Sequence, residues 1–182
     1  ASLAGTVVIL ALSTFIVKLA SKIGKKELSM IGCFISAASF ILLFIIHTHN
    51  VLVWVGLIIV ATIGTSMFNM VIWAMITDVI DESEVQTGVR QDGTIYSVYS
   101  FARKLGQACS SGLSGVLLSI IGYTSVTAFD PKVVDGIYNI TCLVPAGGMI
   151  LLLLALWFLY PLNKKRVEEN AEKLRIKRNE NA

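Results

Sequence analysis

Residues 51–77 read VLVWVGLIIVATIGTSMFNMVIWAMIT, a run that holds no Asp, Glu, Lys or Arg. A helix needs about 20 apolar residues to cross the hydrocarbon core of a bilayer, and this run is longer than that. Lipid offers no hydrogen-bond partner to an open backbone, and the run is too long for one strand of a membrane barrel. Residues 51–77 therefore predict a transmembrane helix.

The composition indicates that the whole chain belongs in a membrane. Of its 182 residues, 55% are hydrophobic and only 15% are charged, and the mean hydropathy is +0.75. Soluble domains carry about 25% charged residues, so this chain has too little charged surface to coat a water-soluble fold. The net charge of +3 is too small to indicate a nucleic-acid partner. We therefore expect a multi-pass protein whose apolar excess faces lipid.

Four further apolar stretches accompany residues 51–77. We expect an all-α integral membrane fold with five transmembrane helices, named spans A to E, at about 2–17, 28–46, 51–77, 93–122 and 135–160. Pro145 interrupts span E and Pro161 ends it. Residues 1–161 would form the helix bundle and residues 162–182 a charged tail. Because the chain opens inside an apolar stretch without a signal peptide, we expect it to be cut at or near the start of a span.

Lysine and arginine residues predict the orientation of the spans. The A–B connection holds four lysines and the tail holds seven Lys or Arg residues, whereas the D–E connection has only Lys132 and the B–C connection has none. By the positive-inside rule, the A–B and C–D connections and the tail are cytoplasmic. Ala1 then lies outside and Ala182 inside. The tail is either a short surface helix near anionic headgroups or a solvated, frayed end.

Span D holds two cations near its middle, Arg103 and Lys104. Each costs about 2.5–3.5 kcal/mol at mid-bilayer, so such residues usually face a cavity or a counter-ion. At helical spacing Lys104 shares a polar face with Ser97, Ser100, Gln107 and Ser111. Arg103 lies about 100° around the helix, beside Tyr96 and Tyr99. We predict that Lys104 faces a transport pathway. For Arg103, the same role and a snorkelling side chain that reaches the interface are alternatives.

Small residues line another stripe of span D. They recur every four positions at Ala102, Gly106, Ser110 and Ser114, a spacing that lets helix backbones approach closely. The stripe predicts ordinary tight packing or a surface on which helices slide, and in both cases a helix packed inside a bundle.

A polar stripe also runs along span C. Thr62, Ser66, Asn69, Trp73 and Thr77 recur at steps of three or four residues. Amides and hydroxyls can hydrogen-bond to sugar hydroxyls, and an aromatic face can pack on the C–H face of a sugar ring. The stripe therefore predicts a sugar site. Trp73 also lies close to the end of the span, so a place in the aromatic belt at the headgroups is its alternative.

Charges are dense in the C–D connection, DVIDESEVQTGVRQDG at residues 78–93. A solvated acidic loop is the ordinary interpretation of such a segment. However, Asp78 and Asp81 sit at the end of a membrane helix, where charges often pair across a gate and separate when it opens. The connection therefore predicts either a solvated loop or part of an inner gate.

No motif in the sequence predicts an enzyme. The sequence holds no Cys/His metal pattern, glycine-rich phosphate loop or nucleophile–base pair. Cys33, Cys109 and Cys142 lie in apolar stretches and are expected to be free thiols packed between helices. His47 and His49 sit in the short B–C connection without an evident partner. We therefore expect a protein that is not an enzyme and has neither a metal nor another cofactor.

The C–D connection and span D together resemble a known family. Between Asp78 and Gly122 the chain matches the pattern D-x-x-(D/E)-x-x-E-x-x-T-G-x-R-x-(D/E)-G, followed by Y-S and R-K-x-G-Q-A. This segment is similar to the one that joins helices ten and eleven of the glycoside–pentoside–hexuronide:cation symporters, a branch of the major facilitator superfamily. Span E with its flanks resembles the glucuronide carriers of that family in particular. The resemblance implies that spans A to E correspond to helices 8–12 of a twelve-helix major facilitator fold, without its N-terminal half.

The resemblance also implies roles for individual residues. Lys104 matches a lysine that faces the central cavity of a relative near its cation and sugar sites, and Tyr99 and Ser100 match polar neighbours of that lysine. A tryptophan that lines the sugar site of that relative falls on Asn69, and Trp73 lies one turn later. The expected substrate-binding or cavity residues are Lys104, Tyr99, Ser100, Asn69, Trp73, Gln107 and Arg103. The expected cytoplasmic gate charges are Asp78, Asp81, Glu84 and Arg90.

Together these inferences predict a secondary active transporter that couples symport of a glycoside, pentoside or hexuronide to a cation by alternating access. The coupling cation, H⁺ or Na⁺, is expected to bind mainly to the N-terminal half of the same transporter. The other expected partner is the lipid bilayer of a bacterial inner membrane. The alternative is a non-transporting membrane sensor or assembly subunit that retains the transporter fold.

Overall fold

All the regular elements in the described part of the chain are α-helices. The structure, a computed structural model, describes residues 15–48 and 50–180. The first helix, α1, is described over residues 15–23. The helices that follow are α2 (Lys25–Ile46), α3 (Val51–Thr87), α4 (Asp92–Ile120), α5 (Pro131–Phe158) and α6 (Lys164–Glu180).

Three of these helices, α2, α3 and α5, are long and apolar enough to cross a membrane. They correspond to the predicted spans B, C and E. The expected count of five is not confirmed. Span A at 2–17 lies outside the described residues except for 15–17, which are helical. Span D corresponds to α4, whose two cations and many serines lower its hydropathy, and α4 is not among the three.

The acidic C–D connection is mostly helical, which corrects its assignment as a loop. Helix α3 continues past residue 77 to Thr87. It ends at Gly88, whose φ of 77° is left-handed and whose N–H bonds to the carbonyl of Glu84. Glycine adopts this conformation without the steric cost that a Cβ brings. Since no glycine or proline comes earlier in this segment, the acids lie on the last turns of α3.

The core of the described bundle forms around α2, which packs against α3 and α5. Its buried apolar residues are Ile16, Ala20, Leu28, Cys33, Val71, Met75 and Leu156. Helices α2 and α3 approach most closely at Gly32 and Gly64, where a Cβ on either glycine would lie 2.5 Å from the other's carbonyl oxygen. Backbone contact of this kind requires small residues on both helices. Helix α5 continues through Pro145 without a break.

Helix α4 stands apart from this core. None of its residues is buried in the described chain, so packing of the small-residue stripe inside a bundle stays a prediction. A Cβ built at Gly106 would meet nothing within 4 Å in the described chain. The helix instead contacts α3 through aromatic side chains near its N-terminal end. The polar and small faces of α4 therefore remain open in the described part of the chain.

Side chains in the predicted outer connections also differ from expectation. His47 has a partner, because its Nε2 lies 2.8 Å from Asp135 Oδ1 on α5 and its ring contacts Tyr138. The sequence does not show this pairing because the two residues are far apart in the chain. His49 lies outside the described residues. Cys33 and Cys142 are buried free thiols as expected, whereas Cys109 on α4 is free but exposed.

Candidate functional site

A cleft of about 590 Å³ lies between α3 and α4. Its lining residues are Phe68, Asn69, Ile72, Trp73, Tyr99, Ala102 and Arg103. Four of the seven predicted cavity residues thus meet at one place, two from each helix. The helical spacing of Asn69 and Trp73 puts both on the face of α3 that α4 approaches.

Aromatic rings join the two helices at the cleft. The Trp73 ring stacks on Tyr96 with centroids 5.8 Å apart and meets Tyr99 edge-on at 5.5 Å. The Arg103 guanidinium carbon lies 5.5 Å from the centre of the Trp73 ring, within the range of a cation–π contact. Tyr96 was not among the predicted cavity residues, although its position three residues before Tyr99 places it on a neighbouring face of α4.

The side chains at the cleft suit a polar ligand with an apolar face. Trp73 is 45% exposed, so its ring is open to the cleft as well as packed against the tyrosines. Asn69 is exposed and supplies an amide, and Tyr99 supplies a phenolic hydroxyl. A ring and two neutral hydrogen-bonding groups can bind a sugar by its C–H face and its hydroxyls. Trp73 therefore lines the cleft, and its alternative place at the headgroups stays a prediction.

The remaining predicted cavity residues lie beside the cleft rather than in it. Lys104 and Gln107 are exposed and Ser100 is half-buried on the adjoining face of α4. Within residues 15–48 and 50–180, Lys104 makes no ion pair with an acidic residue. The polar face predicted around Lys104 therefore flanks the α3–α4 cleft and adds a positive charge next to it.

Arg90 organises the charges at the far end of α3. Its guanidinium lies 2.8 Å from Asp81 and 2.8 Å from Glu84, and it also contacts Asp92 at 2.9 Å. The hydrogen bonds that Arg90 donates to Asp81 first, then to Glu84, raise the pKa of Arg90 above its ordinary value, so this group stays charged. Three of the four predicted gate charges thus form one network across the α3–α4 connection.

Asp78, the fourth predicted gate charge, pairs elsewhere. Its Oδ1 accepts a hydrogen bond of 2.6 Å from Lys25 Nζ on α2. Asp78 is only 5% exposed, and its Oδ2 is buried without a hydrogen-bond partner in the described chain. Lys25 was not among the predicted site residues, although its lysine-rich segment was predicted to lie on the same side of the membrane as Asp78.

The tail helix α6 closes the same end of the bundle. Arg166 pairs with Glu82, and Asn170 Nδ2 donates a 2.5 Å hydrogen bond to that carboxylate. Arg178 lies 3.4 Å from Glu84, the residue that also holds Arg90. The tail is therefore a helix docked on the acidic turns of α3, not a frayed end. The A–B connection, the end of α3 and the tail meet at one end of the bundle, as the positive-inside rule predicts.

Comparison with known proteins finds that the chain is similar to membrane transporters. A family model described as MFS/sugar transport protein matches residues 1–164. A glucuronide carrier protein homolog of Escherichia coli is 33% identical over 168 residues, which cover 92% of this chain and 36% of that protein. An uncharacterized symporter of Bacillus subtilis, YjmB, is 38% identical over 152 residues, covering 84% of this chain and 33% of that protein. A putative sulfoquinovose importer of Salmonella typhimurium is 33% identical over 156 residues, covering 84% and 33% respectively.

These similarities extend over most of the chain. The chain spans about a third of the length of the curated relatives that it matches. All three relatives have names that describe a carrier, a symporter or an importer, which does not favour the alternative of a non-transporting sensor. The family is one of transporters and not of enzymes.

Proposed function

Since this multi-pass membrane chain belongs to the MFS/sugar transport protein family, in its glycoside and hexuronide symporter branch, we propose that it forms part of a cation-coupled sugar symporter. The substrate class is a glycoside, pentoside or hexuronide. The described helices supply one wall of a central site, and a second helix bundle of the same transporter supplies the other. The chain is then the C-terminal part of that transporter.

The observation that carries this proposal is the α3–α4 cleft. It places Asn69, Trp73, Tyr99 and Arg103 around one space of about 590 Å³. Most small-molecule sites have volumes of about 300–1,000 Å³. Lys104, Ser100 and Gln107 line the adjoining face of α4, where a second bundle would complete the cavity. Such a site between two bundles is the arrangement that alternating access requires.

The charges at the end of α3 support the second element of the proposal, an inner gate. Arg90 pairs with Asp81 and Glu84 on α3 and with Asp92 at the start of α4, so it joins the end of α3 to the start of α4. Rocking of one bundle against the other would repack these pairs, as interface ion pairs are repacked in other conformational switches. We propose that this end, with the tail, lies on the cytoplasmic side of a bacterial inner membrane.

Cation coupling is the third element. The coupling ion, H⁺ or Na⁺, would bind mainly to groups of the second bundle. Lys104 would face that region across the cavity, because it lies on the open side of α4. An intramembrane cation in such a place senses whether a cation or a substrate occupies the neighbouring site, since like charges repel strongly at low dielectric.

The experiment that tests the proposal replaces Lys104 with alanine in the complete transporter. Lys104→Ala should abolish cation-driven uptake of labelled glycoside while the amount of protein in the membrane stays unchanged. Lys132→Ala, which removes a lysine from the first turn of α5, is the matched control and should transport normally. Normal uptake by Lys104→Ala would exclude the proposed role of Lys104. Absence of sugar counterflow in vesicles that hold the unaltered transporter would exclude the transport function itself.

A further inference from the structure

Arg103 is the charged residue of the α3–α4 cleft. None of the seven residues that line the cleft is acidic. Arg103 is exposed, and its guanidinium carbon lies 5.5 Å from the centre of the Trp73 ring. Within residues 15–48 and 50–180, no Asp or Glu forms an ion pair with it. The cleft wall therefore carries a positive charge without a protein counter-ion in the described chain.

Contact with an indole positions a guanidinium but does not neutralise it. The aromatic face attracts the cation, while the N–H donors of the guanidinium lie in its plane and stay available. Those donors match the two oxygens of a carboxylate or the oxygens of a sulfonate. Trp73 is itself fixed by the rings of Tyr96 and Tyr99. The aromatic cluster thus holds a bidentate anion donor at the edge of a site that otherwise offers a ring, an amide and a hydroxyl.

We propose that Arg103, positioned by Trp73, makes this protein select sugars that carry one anionic group, a carboxylate or a sulfonate. This inference rests on the proposed function and adds to it the class of substrate. Asn69 and Tyr99 bind the sugar hydroxyls, Trp73 packs on the ring, and Arg103 pairs with the anion. A neutral sugar of the same shape leaves the guanidinium without a partner at low dielectric, and the site rejects it for that reason.

Three substrates that differ at one carbon test the proposal. They are labelled aryl β-glucosides whose C5 substituent is a carboxylate, a sulfonatomethyl or a hydroxymethyl group. Uptake of each is measured in cells that carry the complete transporter and compared with cells without it. We expect at least one of the two anionic sugars to be preferred over the neutral one by at least about tenfold, because a site built for a charged hydrogen-bonding group discriminates strongly against its absence. The ratio of the two anionic sugars shows which anion fits better.

The substitution Arg103→Gln tests the residue. We expect it to bring the anionic-to-neutral uptake ratio close to one. Lys132→Gln removes one positive charge outside the cleft and should leave the ratio unchanged. Trp73→Leu, which removes the ring under the guanidinium, should lower the ratio less than Arg103→Gln. If Arg103→Gln is missing from the membrane, the ratio in Trp73→Leu decides instead.

Each result has one interpretation. Equal uptake of all three sugars by the unaltered transporter overturns the proposal, and so does an unchanged anionic preference in Arg103→Gln, or in Trp73→Leu where that variant decides. Uptake of none of the three by a transporter that is present in the membrane overturns this inference, whereas the proposed function is excluded by absence of sugar counterflow. Preference for the anionic sugars that is lost with Arg103 and retained in Lys132→Gln supports both.

Discussion

Lys25 Nζ lies 2.6 Å from Asp78 Oδ1 and joins the first turn of α2 to α3. The two partners differ in exposure, because the side chain of Asp78 is 6% exposed and that of Lys25 is 32% exposed. Lys25 Nζ also lies 3.4 Å from the carbonyl oxygen of Ala74, one turn before Asp78. The pair holds the two central helices together just beyond the apolar part of α3. Its burial makes it different from the Arg90 network, which lies at the surface.

Asp78→Ala should destabilise the protein because it leaves Lys25 without its carboxylate. Removal of one partner from a fully buried pair costs about 3–5 kcal/mol. We expect a smaller loss of about 1–3 kcal/mol, since Lys25 keeps contact with solvent. Unfolding of the purified protein in mixed detergent micelles measures the difference. The control is Glu168→Gln, which removes a carboxylate from an exposed i,i+4 pair with Lys164 and should change stability by less than about 0.5 kcal/mol.

The double variant Lys25→Met/Asp78→Leu should be more stable than Asp78→Ala. Replacement of both charges by apolar groups leaves no unpaired ion and restores packing. The same unfolding measurement compares the two variants. A double variant that is less stable than Asp78→Ala would show that the unpaired charge of Lys25 is not what destabilises Asp78→Ala.

The contact between Gly32 and Gly64 predicts a second stability effect. A Cβ at either position would lie 2.5 Å from a backbone carbonyl oxygen, which cannot move without shifting a helix. We expect Gly32→Ala and Gly64→Ala each to destabilise the bundle by about 1–3 kcal/mol, the range found for overpacked cores. Gly56→Ala on α3 is the matched control, because a Cβ there meets nothing within 4 Å. Equal stability of all three variants would contradict the close approach of α2 and α3.

Hydropathy predicts the three helices that are long and apolar enough to cross a membrane. Spans B, C and E follow from apolar runs, and the structure finds α2, α3 and α5 there. Hydropathy places the end of α3 too early, because the apolar run ends at residue 77 and the helix continues to Thr87. Charged residues are acceptable in a helix that leaves the bilayer, and only Gly88 provides the left-handed residue that stops it.

In the candidate site, too, the sequence predicts the relations within one helix but not the contacts between helices. Helical spacing correctly places Asn69 and Trp73 on one face of α3, and Tyr99 and Arg103 share a side of α4, since a single helix determines each of these relations. Contacts between distant elements are not encoded in spacing. Lys25 and Asp78 are 53 positions apart, and Asn170 and Glu82 are 88 apart. A helical periodicity shows which residues share a face, but not which helix that face meets.

The tail helix should detach when its main ion pair is removed. Glu82 is bound by both Arg166 and Asn170, so Glu82→Gln weakens two contacts to α6 at once. We expect trypsin to cleave the Lys- and Arg-rich helix at Lys164–Glu180 faster in this variant than in the unaltered protein, because a detached helix unfolds locally more often. Time courses of limited proteolysis in detergent measure the rate. Glu169→Gln is the control, since it removes a carboxylate that pairs with Lys165 on its own helix and leaves every tryptic site in place. Equal cleavage of Glu82→Gln and Glu169→Gln would exclude docking of α6 through Glu82.

Arg90 should control the opening of the proposed inner gate. One guanidinium bridges Asp81 and Glu84 on α3 and Asp92 at the start of α4. We expect Arg90→Gln to shift the gate toward its open state by about fivefold, the equivalent of about 1 kcal/mol for surface ion pairs. Arg90→Lys should have an intermediate effect, because one ammonium cannot reproduce the planar donors that reach three carboxylates.

Gate opening is measured in inverted vesicles by the rate at which an impermeant maleimide labels a cysteine introduced by Gln107→Cys. The background for this measurement carries Cys109→Ser. Arg175→Gln is the control, since Arg175 pairs with Glu172 within α6. Labelling that is no faster in Arg90→Gln than in Arg175→Gln would show that the network stabilises the end of α3 without gating the cavity.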